Sequence, residues 1–182
     1  MIDCYCLRMN WEFIQATADQ AKDINDLVNS AYRGEGSKRG WTTEADLLGG
    51  QRIDSEEVRH LINQENSVIL VAENEKSGAI DGCVHLEKQD EKCYLGMLTV
   101  KPTLQGKGLG AMFLEECEAF AQFWDCSSIY MTVIAQRTEL ISWYEKHGFV
   151  KTGERKPFPY GDEKFGLPKV DDLQFIVLQK KI

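Results

Sequence analysis

The sequence predicts an α/β fold in which an antiparallel run of strands is followed by alternating helices and strands. Two observations support this prediction, and the chain length adds the number of domains. The hydrophobic pattern gives the element order β α α β β β α β α β β. Three strands follow one another without a helix between them, which is typical of an antiparallel meander. The 182 residues suffice for one domain, which we expect to cover residues 1–182.

Caps, turns and periodicity set the bounds of the predicted elements. Thr17 and Gln20 form a capping-box pattern, Asp54 can cap a second helix, and Gly148 lies where a left-handed C-terminal cap is expected. The segment Arg33–Arg52 has almost no periodicity and is predicted to be a long loop, which is uncommon unless it binds something. The predicted elements are strand Phe13–Ala16, helices from Thr17 to about Tyr32 and from Asp54 to about Gln64, strands Val68–Glu73, Gly78–Lys88 and Lys92–Val100, helix Leu109–Phe123, strand Ser128–Ile134, helix Thr138–His147 and strand Leu173–Leu178.

Composition excludes several classes of protein. The chain has 21 basic and 29 acidic side chains, a net charge of −8, which argues against binding to nucleic acid. No apolar run approaches the roughly 18 residues that a membrane helix needs, so we expect no membrane partner. The first residues, Met1 to Cys6, lack the pattern of a secretory signal, which favours the cytoplasm. The six cysteines are scattered and are expected to be free, mostly buried thiols without a metal: Cys4, Cys6, Cys83, Cys93, Cys117 and Cys126.

The sharpest local signal is a strand followed by a glycine-rich turn and a helix, between Leu98 and Ala111. Such a turn can direct several backbone N–H groups outward at the positive end of a helix dipole, where they can hold a pyrophosphate. A P-loop is excluded because Lys107 is followed by Gly108 and Leu109, with no hydroxyl to bind magnesium. A dinucleotide fingerprint is formally met, but the next strand does not end in the acidic residue that binds a ribose.

These residues resemble the acetyl-CoA-binding motif of the GCN5-related N-acetyltransferase (GNAT) superfamily, [QR]-x-x-G-x-[GA], met by Gln105, Gly108 and Gly110. The segment Leu140–Phe149 is similar to the family's helix in which a tyrosine precedes x-x-x-G-F. The resemblance implies a mixed, mostly antiparallel central sheet with helices on both faces, split between the fourth and fifth predicted strands. It also implies direct transfer of the acetyl group of acetyl-CoA to a primary amine in a ternary complex, without a metal. Members of the family are often homodimers.

The resemblance assigns the cofactor-binding residues. The backbone amides of the turn would hold the pyrophosphate, and the end of the preceding strand would pair with the pantetheine arm. One strand N–H, of Thr99 or Val100, would face the thioester carbonyl and stabilise the charge that develops there. The residues expected to bind the cofactor are Leu98, Thr99, Val100, Gln105, Gly106, Lys107, Gly108, Leu109, Gly110 and Ala111.

Tyr144 would protonate the departing thiolate, because a phenol with a pKa near ~10 can serve a thiol with a pKa near ~8.5. The alternative is a core aromatic that packs its helix against the sheet. The sequence also departs from the family, since Arg137 and Leu140 stand where members often have Asn and Ala. This departure puts side-chain contacts with the cofactor in doubt, but not those of the backbone.

The general base is not where the family often has it, because Tyr94 and Gly96 occupy the corresponding positions on the fourth predicted strand. If Gln89–Lys92 is a four-residue hairpin loop, Glu87 lies across from Tyr94 and His85 across from Gly96. Alternation then puts Cys83, His85 and Glu87 on one face with Tyr94, Gly96 and Leu98. We therefore expect His85 or Glu87 to be the base, with room for an acceptor beside Gly96, unless the two form an ordinary half-buried polar pair.

The long loop supplies the candidates for binding the acceptor. Trp41, Glu44 and Asp46 could hold a cationic amine by charge and ring face, with Tyr94 beside them. The stiff segment Pro157–Asp162 could form the opposite wall. The expected acceptor is a small-molecule amine, cationic or neutral. Two alternatives stay open: a peptide or protein N-acetyltransferase, which would need an open groove between these walls, and a non-catalytic acyl-CoA-binding sensor.

Overall fold

The structure is a computed structural model that describes residues 10–162 and 165–182. The predictions made for residues 1–9, including free thiols at Cys4 and Cys6, lie outside the described residues. The elements, numbered in chain order, are β1 (Trp11–Gln15), α1 (Ala21–Tyr32), α2 (Gly34–Ser37), β2 (Leu48–Gly49), α3 (Ser55–Asn63), β3 (Ser67–Asn74), β4 (Ile80–Gln89), β5 (Lys92–Val100), α4 (Leu109–Phe123), β6 (Ser128–Ile134), α5 (Thr138–Lys146), β7 (Val150–Pro157), β8 (Leu167–Pro168) and β9 (Gln174–Lys181).

The predicted mixed sheet is confirmed. Seven strands form one sheet in the order β1-β3-β4-β5-β6-β9-β7, and β2 and β8 form a separate two-stranded pair. Neighbouring strands are antiparallel except for β5 and β6, which are parallel. Their pairing stops after three residue pairs, the last of them Tyr94 and Tyr130. Beyond this point the two strands separate, so the second half of β5 has one edge without a neighbouring strand.

Most element bounds follow from local chemistry. The Asp54 side chain accepts a hydrogen bond from the Glu57 N–H at 2.8 Å, as expected of an N-cap. The Gln20 side chain accepts from the Thr17 N–H at 3.0 Å, and a short 3₁₀ turn then leads into α1. Gly148 has the predicted left-handed conformation, with φ of 90°. The long loop was predicted without structure, but it contains the short helix α2 and the strand β2.

Two hydrophobic clusters cover the two faces of the sheet. One packs α4 and α5 on a face that includes Val84, Leu86 and Leu95. The other packs α1 and α3 on the opposite face, with Cys83 and Met97. Helices therefore lie on both faces, as predicted. The sheet therefore lies between the two clusters. The gap between the separated ends of β5 and β6 lies between the same two layers.

A β-bulge at Met97 changes which face the end of β5 presents. Met97 has φ of 54°, and Val84 of β4 lies opposite both Met97 and Leu98. The predicted pairs Glu87–Tyr94 and His85–Gly96 are confirmed before the bulge, where Asp90 and Glu91 form the turn. The prediction that Leu98 shares a face with Cys83 was wrong. Beyond the bulge, Met97 packs with Cys83, whereas Leu98 packs on the opposite face.

Four of the cysteines are described, and all four are free and buried. Burial raises the pKa of the Cys83 thiol to about 12, and that of the Cys93 thiol to about 12 as well. Within residues 10–162 and 165–182 no group of three or more His, Cys, Asp or Glu side chains is placed to hold a metal ion. In the same part of the chain, none of the helices has the length and apolar content needed to cross a bilayer.

Gly82 should be required by the close packing between β4 and α4. A Cβ at this position would lie 2.5 Å from Cε2 of Phe113 and 2.9 Å from the Thr99 carbonyl oxygen. Because both neighbours are buried, we expect Gly82→Ala to lower the free energy of unfolding by about 2 kcal/mol in urea titrations. Gly36→Ala is the matched control, since its nearest atom is 3.8 Å away, and it should change stability by less than about 1 kcal/mol. Equal effects of the two substitutions would contradict this account.

Candidate functional site

The turn before α4 presents a row of free backbone donors. The amides of Gly106 through Gly110 have no hydrogen-bond acceptor within the described part of the chain, whereas the Ala111 N–H already bonds to the Gly108 carbonyl at 3.0 Å. Gly106 and Gly108 have φ of 76° and 93°, in the left-handed region that favours glycine. Gly108 is the N-cap of α4, so these amides lie at the positive end of the helix dipole. The turn can therefore bind a diphosphate through its main chain.

A cavity of about 570 Å³ adjoins this turn. It is bounded by the end of β5, the turn and one side of α5. Eight of the ten residues expected to bind the cofactor line it: Leu98, Thr99, Val100, Gln105, Gly106, Gly108, Gly110 and Ala111. The Lys107 side chain is exposed and does not line it, and the Leu109 side chain is fully buried in the core. These last two residues contribute free backbone amides to the adjoining turn.

The unpaired edge of β5 supplies main-chain groups to the same cavity. The Leu98 carbonyl accepts a hydrogen bond from the Tyr32 hydroxyl at 2.9 Å, and the Val100 carbonyl accepts one from the Gln105 side chain at 3.2 Å. In a strand the N–H and C=O of one residue project to the same side, so the N–H groups of Leu98 and Val100 lie on this edge too. The Lys101 N–H donates to the Asp81 carbonyl oxygen of β4 at 2.9 Å, so Thr99, two residues before Lys101, also directs its main chain toward β4.

Tyr144 lies where the cofactor cavity meets a second cavity, and it lines both. Its side chain is 5% exposed and packs against Trp143 and Phe149. Burial raises the pKa of its hydroxyl well above the usual range, so the phenol carries its proton at neutral pH. No described residue makes a hydrogen bond with this hydroxyl. A protonated donor without a partner is thus held at the junction of the two cavities.

The second cavity, of about 330 Å³, lies at the split between β5 and β6, and we call it the acceptor cavity. The long loop forms one wall and Pro157, Phe158 and Pro159 form part of the other, as the sequence indicated. β2 and β8 join the two walls by pairing Leu48 with Pro168. Lys169 strengthens the junction by donating from its side chain to the Ala45 carbonyl at 2.6 Å. The acceptor cavity is therefore small, and the β2–β8 pair connects its two walls on one side.

A buried ionic cluster fixes the long loop against α5. Glu44 is 7% exposed and pairs with Arg33 through one carboxylate oxygen and with Arg137 through the other, the latter at 2.8 Å. Arg137 also donates to the Thr42 hydroxyl at 2.8 Å. Burial would raise the pKa of Glu44, but Arg137 and Arg33, with a contribution from Arg52, hold it below its usual range. Both oxygens of Glu44 are thus already bound by protein cations.

The other residues expected to bind the acceptor are dispersed. Trp41 is 43% exposed and lines the cofactor cavity, 6.3 Å from Trp143 between ring centroids. Asp46 pairs with Lys38 at 3.3 Å on the surface and lines neither cavity. Tyr94 does line the acceptor cavity. Its ring also fills the space beside Gly96 that was expected to stay free, because a Cβ on Gly96 would lie 2.9 Å from Cε1 of Tyr94.

The two candidate bases lie away from Tyr144. His85 is 5% exposed, its Nε2 lies 2.9 Å from the Ser67 hydroxyl, and it lines a third cavity of about 410 Å³. Burial lowers the pKa of His85 to about 4, so the imidazole is neutral at neutral pH. Glu87 is half-buried, accepts a hydrogen bond from Gln64 at 3.3 Å and lines none of the three cavities. His85 alone stays near the acceptor cavity, because the third cavity shares Tyr94, Gly96 and Met97 with it.

Sequence reasoning missed the cationic side of the acceptor cavity. The sequence identified Arg33 and Arg52 only as the ends of the long loop, and Arg137 only as a departure from the family pattern. The Tyr32 ring lies beneath two of these guanidinium groups, with Cζ of Arg52 5.6 Å and Cζ of Arg137 5.8 Å from the ring centroid. The unusual Arg137 was the one available signal, since members of the family often have an uncharged Asn at this position.

Comparison with known proteins agrees with this geometry. A family model described as the acetyltransferase (GNAT) family matches residues 22–149. The chain therefore belongs to the GNAT acetyltransferase family, whose members transfer acetyl groups from acetyl-CoA. A search of curated proteins finds no match to the sequence.

Solved structures of acetyltransferases share the fold. Nourseothricin acetyltransferase aligns with a TM-score of 0.68 and 15% identity, over 94% of this chain and 98% of that chain. The ribosomal-protein-S18-alanine N-acetyltransferase from Escherichia coli aligns with a TM-score of 0.67 and 14% identity, over 94% of both chains. A protein from Bacillus anthracis, provisionally assigned as a streptothricin acetyltransferase and solved with acetyl coenzyme A, aligns with a TM-score of 0.56 and 21% identity, over 68% of this chain and 66% of that chain.

Buried His85 should make stability depend on pH. Its pKa falls from 6.5 to about 4 on folding, so between these values the unfolded chain binds a proton that the folded chain does not. The free energy of unfolding should therefore fall by up to about 3 kcal/mol as the pH drops through this window. Urea titrations across the window should show a flatter dependence for His85→Gln. His60→Gln, which changes an exposed histidine, should keep the wild-type slope; a His85→Gln slope as steep as wild type would refute the assignment.

Proposed function

We propose that this acetyltransferase acts on the primary amine of a small molecule, by direct transfer in a ternary complex. The observation that carries the proposal is the Tyr144 hydroxyl, which is protonated and has no hydrogen-bond partner among the described residues. It lies at the junction of a cavity beside free backbone amides and a second, smaller cavity. We propose that the protein works as one cytoplasmic domain. Acetyl-CoA supplies an activated thioester, whose acetyl group passes to the amine nitrogen while the amine loses a proton and CoA leaves as a thiol.

The residues that line the larger cavity fit this cosubstrate. Five consecutive free amides, from Gly106 to Gly110, match the many acceptor oxygens of a diphosphate. The exposed Lys107 side chain adds a positive charge beside them. The free main-chain groups of Leu98 and Val100 can pair with an amide-containing arm in the way that a neighbouring strand would. We propose that these groups, with the lining of the 570 Å³ cavity, hold acetyl-CoA.

Tyr144 and the edge of β5 are proposed to act on the reacting atoms. The Tyr144 Oη holds a proton that can pass to the departing sulfur. The Val100 N–H, on the free edge, can donate to the carbonyl oxygen as negative charge develops there. We prefer Val100 to Thr99 for this task because the Thr99 main chain is directed toward β4. Both groups are held by buried secondary structure, which limits their reorganisation during the reaction.

The amine proton is proposed to leave through water. Glu44 is the only carboxylate that lines the acceptor cavity in the described part of the chain, and two arginines bind it. A carboxylate with a lowered pKa and both oxygens occupied is a poor base. We propose that the proton passes to solvent water, because burial lowers the pKa of His85 to about 4 and makes this imidazole a poor proton acceptor as well.

The volume of the acceptor cavity and the β2–β8 pair beside it support a small acceptor rather than a protein. A cavity of about 330 Å³ is at the lower end of the usual range for small-ligand sites. The pairing of β2 with β8 bridges the long loop to the proline-rich wall, where a polypeptide acceptor would need an open groove. The E. coli relative acts on a ribosomal protein, so a peptide with an N-terminal alanine is the substrate to test against small amines.

The glycine turn should be needed for binding the cosubstrate. Gly108→Ala would force a Cβ onto a residue with φ of 93°, displacing the amides that follow it. We expect its dissociation constant for acetyl-CoA, measured by calorimetry, to rise at least about tenfold. Gly153→Ala is the matched control, because Gly153 has φ of 89° on β7 and no atom within 4 Å of a new Cβ. It should share the loss of stability and keep the affinity; unchanged binding by Gly108→Ala would count against the turn.

Loss of the Tyr144 hydroxyl should slow turnover. Tyr144→Phe keeps the buried ring and removes the proton donor, so kcat should fall by about 10²-fold or more, with little change in the KM for acetyl-CoA. Release of CoA thiol with a panel of small amines and an N-terminal-alanine peptide measures both effects. Tyr130→Phe, outside the two cavities, should behave as wild type. Turnover of the peptide alone would replace the small-molecule proposal, and acetyl-CoA binding without any turnover would favour the sensor.

A further inference from the structure

The acceptor cavity is positively charged, although the chain as a whole is acidic. Among the residues that the structure describes, its lining has four basic side chains, Arg33, Arg52, Arg137 and Lys156, and one acidic side chain, Glu44. The complete chain carries a net charge of −8. A small cavity with low-dielectric walls concentrates the field of the charges that line it. An amine that carries only positive charge, which the sequence suggested as the acceptor, would be repelled from this site.

The protein itself neutralises only part of this charge. Glu44 uses both carboxylate oxygens on Arg33 and Arg137, so one negative charge is shared by two guanidinium groups. The Nε atoms of both arginines are buried and have no hydrogen-bond partner in the described part of the chain. Since a guanidinium carries five N–H donors, the cluster has more donors than its carboxylate, hydroxyl and carbonyl partners can accept. A ligand with several acceptor oxygens would supply what the cluster lacks.

Arg52 is the arginine of this cavity that has no ion pair with the protein among the described residues. Its side chain is half-buried, lies over the Tyr32 ring and has no acidic partner within 4.0 Å among the described residues. Arg52 and Lys156 do not line the cofactor cavity, so the phosphates of a cosubstrate held there do not explain them. A planar guanidinium fixed over an aromatic ring is well suited to bind the oxygens of a carboxylate or phosphonate in pairs.

Resting on the proposed function, we propose that the acceptor is an amine that also bears an anionic oxyacid group, such as a carboxylate or phosphonate. Arg52 binds this group, while the Arg33–Glu44–Arg137 cluster provides the positive field around it. The amine is thereby oriented toward the junction at Tyr144. Discrimination comes from the unmatched cation, because an amine without the anionic group leaves Arg52 without a partner.

Matched pairs of amines test the proposal through release of CoA thiol. Free amino acids are paired with their C-terminal amides, aminomethylphosphonate is paired with methylamine, and spermidine is the purely cationic amine. We expect kcat/KM for the anionic member of the preferred pair to exceed that of its neutral partner at least about tenfold. The comparison is stringent, since the amides have the less basic and more readily deprotonated amine.

Arg52→Gln should remove most of this preference. We expect the KM for the anionic amine to rise about tenfold or more, while the values for its neutral partner and for acetyl-CoA stay unchanged. Arg59→Gln is the matched control, because Arg59 is an exposed arginine on α3 and lines none of the three cavities. It removes the same charge and should retain the wild-type preference, which separates a local contact from an effect of net charge.

The outcomes distinguish this inference from the proposed function. Efficient turnover of spermidine or the neutral amines, without preference for the anionic ones, overturns the inference and leaves the small-molecule acetyltransferase in place. An anionic preference that survives Arg52→Gln overturns the assignment of Arg52. If acetyl-CoA binds and no small amine of any charge is acetylated, the proposed function fails, and the inference with it.

Discussion

The separation of β5 and β6 is the constraint on which the rest of the site depends. Parallel pairing ends at Tyr94. The bulge at Met97 then shifts the alternation of β5, so that Met97 packs on the face of Cys83 and Leu98 packs on the opposite face. Two strands that diverge within a sheet leave polar backbone groups without partners, which is costly unless another molecule or side chain satisfies them. Here Tyr32 and Gln105 satisfy two carbonyls, and the N–H groups remain for a ligand.

The long loop is held over this gap by a buried ionic cluster and by the packing of Leu48 against Ile134 and Phe158. Glu44 connects a residue at the end of α1 with one at the start of α5, and all three side chains are nearly buried. Removing one member of such a group leaves an uncompensated buried charge, which is strongly destabilising. The sequence predicted a general base on the strands and acidic side chains in the loop that bind a cationic amine. In the structure, Glu44 of the loop instead binds Arg33 and Arg137. The charge of the acceptor cavity is therefore positive and not negative.

Local patterns in the sequence were sufficient to predict much of the fold and the cofactor side of the site. Caps at Asp54 and Gly148, the glycine turn before α4 and the register of the β4–β5 hairpin depend on residues close together in the chain. The acceptor side depends on contacts across the fold. Arg137 and Glu44 are 93 residues apart, and no local pattern distinguishes a loop carboxylate that binds a substrate from one that binds two arginines. The face of Leu98 was mispredicted because a bulge leaves no periodic trace in so short a strand.

The burial of the cysteines also limits how acetyl transfer can proceed. Cys83, Cys93, Cys117 and Cys126 line neither of the cavities that meet at Tyr144, and burial raises the pKa of each thiol. A protonated thiol in an apolar core is a poor nucleophile. None of these four side chains can therefore serve as a relay that carries the acyl group between two half-reactions. The described part of the chain therefore has no cysteine that could form a covalent acyl-enzyme intermediate. Direct transfer between two substrates bound at the same time does not require one.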